Sequence, residues 1–183
     1  MSAFKTYADF VAKLRVPCGF VLVVTFAWLS HPTRRSLAVG LPVSILGLLL
    51  RGWATGHLEK NIRLAQSGPY VHVRNPLYLG TALVAAGLVL ASERWVLAAI
   101  FSAVFVLVYL PVIRLEEQHL RSLFPEFAAY AVQVPALWPT FHFKGREQAF
   151  RWNLYQRNRE YQALIGFGIG VAFLIAKLVY FGP

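Results

Sequence analysis

The stretch WVLAAIFSAVFVLVYLPVI (residues 95–113) contains 19 consecutive residues without a charged side chain. About 20 apolar residues in a helix cross the roughly 30 Å hydrocarbon core of a bilayer. Because the bilayer core holds no water, the backbone there must satisfy its own hydrogen bonds, which favours an α-helix. The stretch therefore predicts a transmembrane helix.

Further apolar runs lie on both sides of this stretch. The rest of the composition agrees with them, since 57% of the 183 residues are hydrophobic and 14% are charged. A soluble domain needs fewer apolar residues for its core. We therefore predict an all-α fold, a polytopic transmembrane helical bundle of about five spans. The other four predicted spans cover residues 16–30, 36–54, 77–92 and 161–181.

The distribution of basic residues orients this bundle. With the N-terminus inside, 14 of the 18 Lys and Arg residues fall on the cytoplasmic side. Cytoplasmic segments carry the excess of positive charge in membrane proteins, so we predict an N-in, C-out topology. The single membrane domain 1–183 then divides into an interfacial helix (1–15), four spans (16–113), a cytoplasmic segment that includes a second interfacial helix (114–160), and a fifth span (161–181).

The net charge of +10 raises the question of a nucleic-acid partner. Its basic residues are spread over predicted cytoplasmic loops, where they attract anionic lipid headgroups, and they form no patch on a groove-fitting module. Aromatic and basic residues are also interleaved near 4–15 and 150–159, as in helices that lie in the membrane interface. We therefore predict contact with anionic headgroups and no nucleic acid.

Few residues indicate metal chemistry. Cys18 is the single cysteine, and the five histidines form no close ligand pair, so no metal site is predicted. In the last span, Gly166 and Gly170 have the spacing of small residues at helix contacts. They predict close packing within the chain or between subunits of a homo-oligomer.

The polar stretch SGPYVHVRNPLYLG (residues 67–80) leads into a predicted span. Pro76 forces Asn75 away from helical geometry, so the chain enters the membrane through a sharp corner. A helix N-terminus offers N–H donors and a partial positive charge, which suit an anionic group, and Arg74 can add a fork of donors. The alternative is that Arg74 and His72 are ordinary interfacial anchors.

A second polar stretch, RLEEQHLRSLFPEFAAY (residues 114–130), follows another span, in which Pro111 predicts a kink. Glu116 and Glu117 point about 100° apart on a helix, so the two carboxylates have different surroundings. One is expected to bind a cation while the other braces Arg74, Arg114 or Arg121, unless both belong to a solvated face. The predicted topology brings both polar stretches to one membrane face.

Together, GPYVHVRNPLYLG (68–80) and RLEEQHLRSLFPEFAAYAVQVPALWP (114–139) resemble the signature of integral-membrane methyltransferases. This group includes isoprenylcysteine carboxyl methyltransferases and phospholipid N-methyltransferases. Its first block usually reads Arg-His-Pro-x-Tyr or Arg-Asn-Pro-x-Tyr, and this chain has Arg74, Asn75, Pro76 and Tyr78. The carboxyl methyltransferases favour His at the position of Asn75, which leaves the substrate open.

The resemblance implies S-adenosylmethionine as the cofactor, bound by the cytoplasmic segment 114–160 and the proline corner. The cofactor carboxylate would pair with Arg74 and Asn75, and its ammonium with Glu116 or Glu117. The side chains that the resemblance leaves for the adenosine or the reacting group are Tyr70, His72, Tyr78 and Tyr130.

The predicted function is methyl transfer to a lipophilic acceptor that enters from the bilayer. Arg74 and Glu117 are the catalytic candidates: Arg74 would orient a carboxylate acceptor, whereas Glu117 would take the proton of an amine acceptor. Two alternatives come from other classes. One is an NADPH-dependent membrane reductase, and the other is a non-catalytic membrane protein that uses its Gly166 and Gly170 face.

Overall fold

The computed structural model describes residues 3–140 and 148–181, and this part of the chain contains seven helices and no strand. A short 3₁₀ turn at Gly68–Val71 precedes the third helix. The prediction of an all-α fold is confirmed. The helices are α1 (Ala3–Leu29), α2 (Arg34–Thr55), α3 (Pro76–Ser92), α4 (Trp95–Leu123), α5 (Phe127–Gln133), α6 (Trp152–Arg157) and α7 (Tyr161–Phe181).

Helices occupy all five predicted apolar runs, but they differ in length. Three segments are long and apolar enough to cross a membrane: Arg34–Thr55, Trp95–Leu123 and Tyr161–Tyr180. Pro76–Ser92 and the apolar part of α1, Pro17–Leu29, are shorter. With 17 residues, α3 is about 25 Å long, close to the lower limit for a span. The number of five spans and the N-in, C-out orientation stay predictions.

Helices α2 and α3 form an antiparallel pair in which glycines bring the two backbones together. A Cβ atom on Gly40 would lie 2.3 Å from the carbonyl oxygen of Gly87, and one on Gly47 would lie 2.6 Å from that of Gly80. No side chain fits at such distances, so these four positions require glycine. Small residues are the usual means of close helix contact in membranes, where lipid removes the hydrophobic drive for association.

Two serines on the same face of α2 strengthen this contact. The hydroxyl of Ser44 donates a hydrogen bond to the carbonyl oxygen of Val84 at 2.9 Å, and that of Ser36 donates to Ala91 at 2.9 Å. Both acceptors belong to α3. The glycines allow the close approach, and the hydroxyl groups then fix the relative position of the two helices along their axes.

Helix α4 is not regular along its whole length. Residues Phe105–Tyr109 form a π-helical turn immediately before Leu110 and Pro111. Such turns occur where a helix bends and frequently border functional sites. The π-helical turn thus lies on the N-terminal side of Pro111, and the kink at this proline stays a prediction.

Helix α1 includes the described part of the segment 1–15, and the location of this segment in the membrane interface stays a prediction. The helix runs without a break from Ala3 to Leu29, because no residue before Pro17 interrupts helical geometry. The Tyr7 hydroxyl also donates to the carbonyl oxygen of Leu107, inside the apolar part of α4, at 2.9 Å. The described part of this segment is thus the beginning of the first helix of the bundle. The segment 150–159 does hold the short helix α6, and its contact with lipid headgroups stays a prediction.

Helix α7 contacts the end of α1 through a lysine. Near its C-terminus, the Lys177 ammonium donates to the carbonyl oxygens of Ala27 at 2.8 Å and Trp28 at 3.0 Å, which caps the end of α1. At Gly166 and Gly170, an added Cβ atom would meet nothing within 4 Å in the described part of the chain. Within the described residues these glycines therefore contact no other helix closely. Packing between subunits stays a prediction.

The substitution Gly87→Ala should destabilise the bundle by about 1–3 kcal/mol, because the new methyl group would be forced against Gly40 and Ser44. The matched control is Gly168→Ala in α7, where a Cβ atom has open space. Alanine there should be neutral or stabilising by up to about 1 kcal/mol. Thermal unfolding of the purified proteins in detergent measures both changes, and equal effects would contradict the assigned contact.

Candidate functional site

The proline corner that precedes α3 is held by a second segment of the chain. The backbone N–H of Arg74 donates to Pro135 at 2.9 Å, and that of Asn75 donates to Ala136 at 3.1 Å. The carbonyl oxygen of Asn75 in turn accepts the first backbone bonds of α3. The N–H groups expected to bind an anionic ligand at this corner are thus partly used within the chain, because the segment after α5 pairs with it.

The Arg74 guanidinium is the centre of the corner. It donates from Nε to Glu117 Oε1 at 3.0 Å and from Nη2 to Oε2 at 3.4 Å, while Nη1 donates to the carbonyl oxygen of Ala131 at 2.6 Å. The Asn75 amide also donates to Glu117, at 3.0 Å. Only 14% of the Arg74 side chain and 16% of the Glu117 side chain are exposed. The two predicted polar stretches therefore meet, and Glu117 is the carboxylate that braces Arg74.

The neighbouring carboxylate has different surroundings. Glu116 Oε2 accepts a hydrogen bond from the Tyr78 hydroxyl at 2.9 Å. The Tyr78 ring packs edge-on against the ring of Tyr109, which is the last residue of the π-helical turn of α4. The two glutamates therefore have different surroundings, as expected, because Glu117 has a charged partner and Glu116 accepts from a neutral hydroxyl. Binding of a cation by Glu116 stays a prediction.

Two tyrosines lie beside the corner: Tyr70 is buried, and Tyr130 of α5 is half-buried. The Tyr130 hydroxyl donates to the carbonyl oxygen of Tyr70 at 2.7 Å. Burial raises the pKa of Tyr70, and nearby acidic groups add to the rise. Burial also raises the pKa of Tyr130, although the positive charge of Arg74 opposes this effect. Both pKa shifts favour the neutral phenol.

A cavity of about 580 Å³ opens beside this cluster. Its walls come from α2, α3, α4 and α5, together with a connection that we call the cavity loop (residues 56–67). Seven of the eight predicted site residues line it: Tyr70, Arg74, Asn75, Tyr78, Glu116, Glu117 and Tyr130.

The eighth predicted residue, His72, lies elsewhere. It does not line the cavity, and its Nδ1 atom forms a hydrogen bond with the carbonyl oxygen of Thr140 at 2.8 Å. The backbone N–H of Thr140 also donates to the carbonyl oxygen of His72. The ring of His72 thus helps to join the corner to the segment after α5.

Several cavity residues were not singled out in the sequence. Arg51 and Thr81 lie on the wall between α2 and α3, and the cavity loop adds Glu59, Lys60 and Arg63. Arg51 carried a signal, because an arginine directly after the apolar run 36–50 is costly inside a membrane unless it has a partner. Its partner, Glu160, is 109 residues away in sequence, so the pair was not visible there.

A family profile matches more than half of the chain. The profile of the phospholipid methyltransferase family matches residues 14–126, which include the corner and both glutamates. The chain therefore belongs to this family of membrane methyltransferases. No solved structure matches it.

Two curated relatives are similar along much of the chain. The first is the cobalt-zinc-cadmium resistance protein CzcN of Cupriavidus metallidurans, 36% identical over 135 residues, which are 72% of this chain and 61% of that protein. The second is the nickel-cobalt-cadmium resistance protein NccN of Alcaligenes xylosoxydans xylosoxydans, 32% identical over 72% of this chain and 62% of that protein. The chain thus spans about three fifths of the length of these relatives.

The phenols of Tyr70 and Tyr130, whose pKa values are raised, should stay protonated near pH 10, where free tyrosine ionises. Since the folded chain keeps protons that the unfolded chain releases, the free energy of unfolding should fall as the pH rises above about 10. Spectrophotometric titration of the folded and the unfolded protein measures the ionisation of the phenols in each state. Some phenols should ionise near pH 10 only after the protein is unfolded, and Tyr130→Phe should lower the number of these phenols by one. If Tyr130→Phe instead removes a phenol that ionises near pH 10 in the folded protein, the assignment is wrong.

Proposed function

We propose that this chain transfers a methyl group from S-adenosylmethionine to a lipophilic acceptor that reaches the cavity from the bilayer. The observation that carries the proposal is the cluster of Arg74, Asn75, Glu116 and Glu117 on the wall of a cavity of about 580 Å³. Membership of a methyltransferase family supports the reaction class.

The cavity suits the cofactor in size and charge. Its volume of about 580 Å³ falls within the range of roughly 300–1,000 Å³ that small-molecule sites occupy. The cofactor carries a negative carboxylate and a positive ammonium and sulfonium. The cavity wall carries positive guanidinium groups and negative carboxylate groups. Arg74 would hold the carboxylate of the cofactor, and the carboxylates of the cavity wall would attract its ammonium.

When bound, the cofactor supplies an electrophilic methyl group, so the protein needs no covalent nucleophile. Arg74 is held by Glu117 and Ala131, which fixes its guanidinium before any ligand binds. Tyr70 and Tyr130 line the side of the cavity toward α5, where they would keep water from a bound cofactor. Alignment and exclusion of water are the main contributions that a displacement at such a carbon requires.

Part of the cavity wall belongs to the apolar helices. Leu77 and Thr81 of α3 and Tyr109 and Val112 of α4 line it. This supports an acceptor that approaches from the bilayer while the water-soluble cofactor approaches from the polar end. The distribution of basic residues supports a cytoplasmic location for that end.

Two acceptor classes fit the cluster, the carboxylate of an isoprenylcysteine and the amine of a phospholipid. Arg74 could orient a carboxylate. For an amine, protonation of Glu117 would break its ion pair with Arg74, whereas Glu116 accepts from the neutral Tyr78 hydroxyl. We therefore propose Glu116 as the proton acceptor in the amine case, in place of Glu117. An NADPH-dependent reduction is less well supported, because the family assignment favours methyl transfer.

Purified protein in lipid nanodiscs should transfer label from methyl-labelled cofactor to a component of a total lipid extract. Arg74→Ala should weaken cofactor binding roughly 10- to 100-fold, the effect of losing a hydrogen bond with a charged group. Thermal unfolding of the same variant gives the folded fraction. Absence of both cofactor binding and lipid labelling in wild-type protein would refute the proposal.

The two glutamates should respond differently to loss of charge. Glu117→Gln removes the counter-ion of Arg74 and should lower both stability and cofactor affinity, because a guanidinium with 14% exposure is then left unpaired. Glu116→Gln keeps the Arg74 pair and should mainly lower turnover. Measured binding constants and turnover separate the two variants, and wild-type behaviour in both would show that neither carboxylate takes part.

The names of the two relatives favour a role in metal tolerance. We propose that methylation by this chain alters a membrane component that affects growth under metal stress. In a host that lacks the gene, the wild-type chain should restore growth in cobalt, zinc or cadmium, and Arg74→Ala should not. Equal rescue by the variant would show that tolerance is independent of methyl transfer.

A further inference from the structure

The segment 148–160, which we call the C-terminal brace, lies beyond the residues 14–126 that match the family profile. It nevertheless contacts two parts of the cavity wall. The backbone N–H of Arg151 donates to Gly56 at 3.1 Å, and the Phe150 ring lies so close that a Cβ atom on Gly56 would be 2.1 Å from it. The brace therefore packs directly against the start of the cavity loop.

Asn158 fastens this loop to the end of α2. Its amide donates to the carbonyl oxygens of Thr55 and Leu58, both at 3.0 Å. Leu58 lines the cavity, and the next residue, Glu59, forms an ion pair with Arg151 of the brace. Asn158 thus contributes a hydrogen bond to the carbonyl group of the last residue of α2 and another to a carbonyl group of the cavity loop.

Glu160 holds the second part of the wall. Its carboxylate accepts from Arg51 Nε at 2.6 Å and from Nη2 at 3.1 Å, and only 9% of its side chain is exposed. The remaining Arg51 nitrogen, Nη1, donates to the Thr81 hydroxyl, which itself donates to Leu77 at 2.8 Å. Arg51 and Thr81 line the cavity, whereas Glu160 does not. Glu160 therefore reaches the cavity through Arg51.

We infer that Asn158 and Glu160 are positioning residues for methyl transfer. Asn158 holds the cavity loop in place, and Glu160 both positions Arg51 and neutralises its charge. This inference rests on the proposed function. A buried ion pair gives little net stability over apolar residues of similar size, but removing one partner leaves an uncompensated charge. Without Glu160, that charge would belong to Arg51 at the cavity wall.

Binding of two ligands that differ by one charge tests the role of Glu160. S-adenosylmethionine carries a sulfonium, and S-adenosylhomocysteine has a neutral sulfur. Glu160→Gln should weaken binding of the first roughly tenfold more than that of the second, the effect of one unit charge at about 12 Å with an effective dielectric constant of about 20. Glu160→Asp keeps the charge and should restore the wild-type ratio of the two affinities.

The matched control is Glu93→Gln, the same chemical change at the other end of α3, where Glu93 accepts from Thr33. It should leave the affinity ratio unchanged. Equal weakening of both ligands by Glu160→Gln, or a ratio like that of Glu93→Gln, would overturn the assignment of Glu160, because a purely structural role moves both affinities together.

Hydrogen exchange tests the brace without any ligand. In Glu160→Gln and Asn158→Ala, the amides of residues 56–65 should exchange roughly fivefold faster, since local opening becomes easier, and in Glu93→Gln they should not. Unchanged exchange in both brace variants would overturn the inference. Wild-type protein that binds neither ligand would overturn the proposed function, and exchange alone would then decide the brace.

Discussion

The close contact of α2 with α3 is the constraint on which the rest of the structure depends. Four glycines, Gly40, Gly47, Gly80 and Gly87, let the two backbones approach to distances at which no side chain fits. This contact fixes where α3 begins, and hence where the proline corner lies. It also places Arg51, one turn beyond Gly47, beside Leu77 and Thr81. Two of the cavity walls thus follow from a contact between residues without side chains.

The site itself is made of groups that satisfy one another before a ligand arrives. Arg74, Asn75 and Glu117 form one cluster, and Arg51, Thr81 and Glu160 form another on the same cavity. An unpaired charge would be costly beside apolar helices, and both Arg51 and Arg74 have a carboxylate partner. Such prior pairing holds the side chains in place, which is what alignment of a small cofactor requires.

The sequence predicted the class and the main residues of this protein because the signals are local. Apolar runs of sufficient length indicate helices in a membrane whatever the rest of the chain does. The prolines Pro76 and Pro111 mark their irregular ends. The blocks around Arg74 and Glu117 could be matched to a methyltransferase family because their residues are close together in sequence, and the family assignment confirmed that resemblance.

Only the tertiary structure decided which distant groups are partners. Three contacts join distant segments. The pair of Glu117 with Arg74 spans 43 residues, that of Glu160 with Arg51 spans 109, and that of His72 with Thr140 spans 68. Side chains of one type look alike in a sequence, and the sign of a charge does not name its partner. The sequence alone determined a helical membrane protein with two polar stretches. The ion pair of Arg74 with Glu117 and the pairing of the proline corner with the segment after α5 decided that these stretches border one cavity, because such contacts join residues that are distant in sequence.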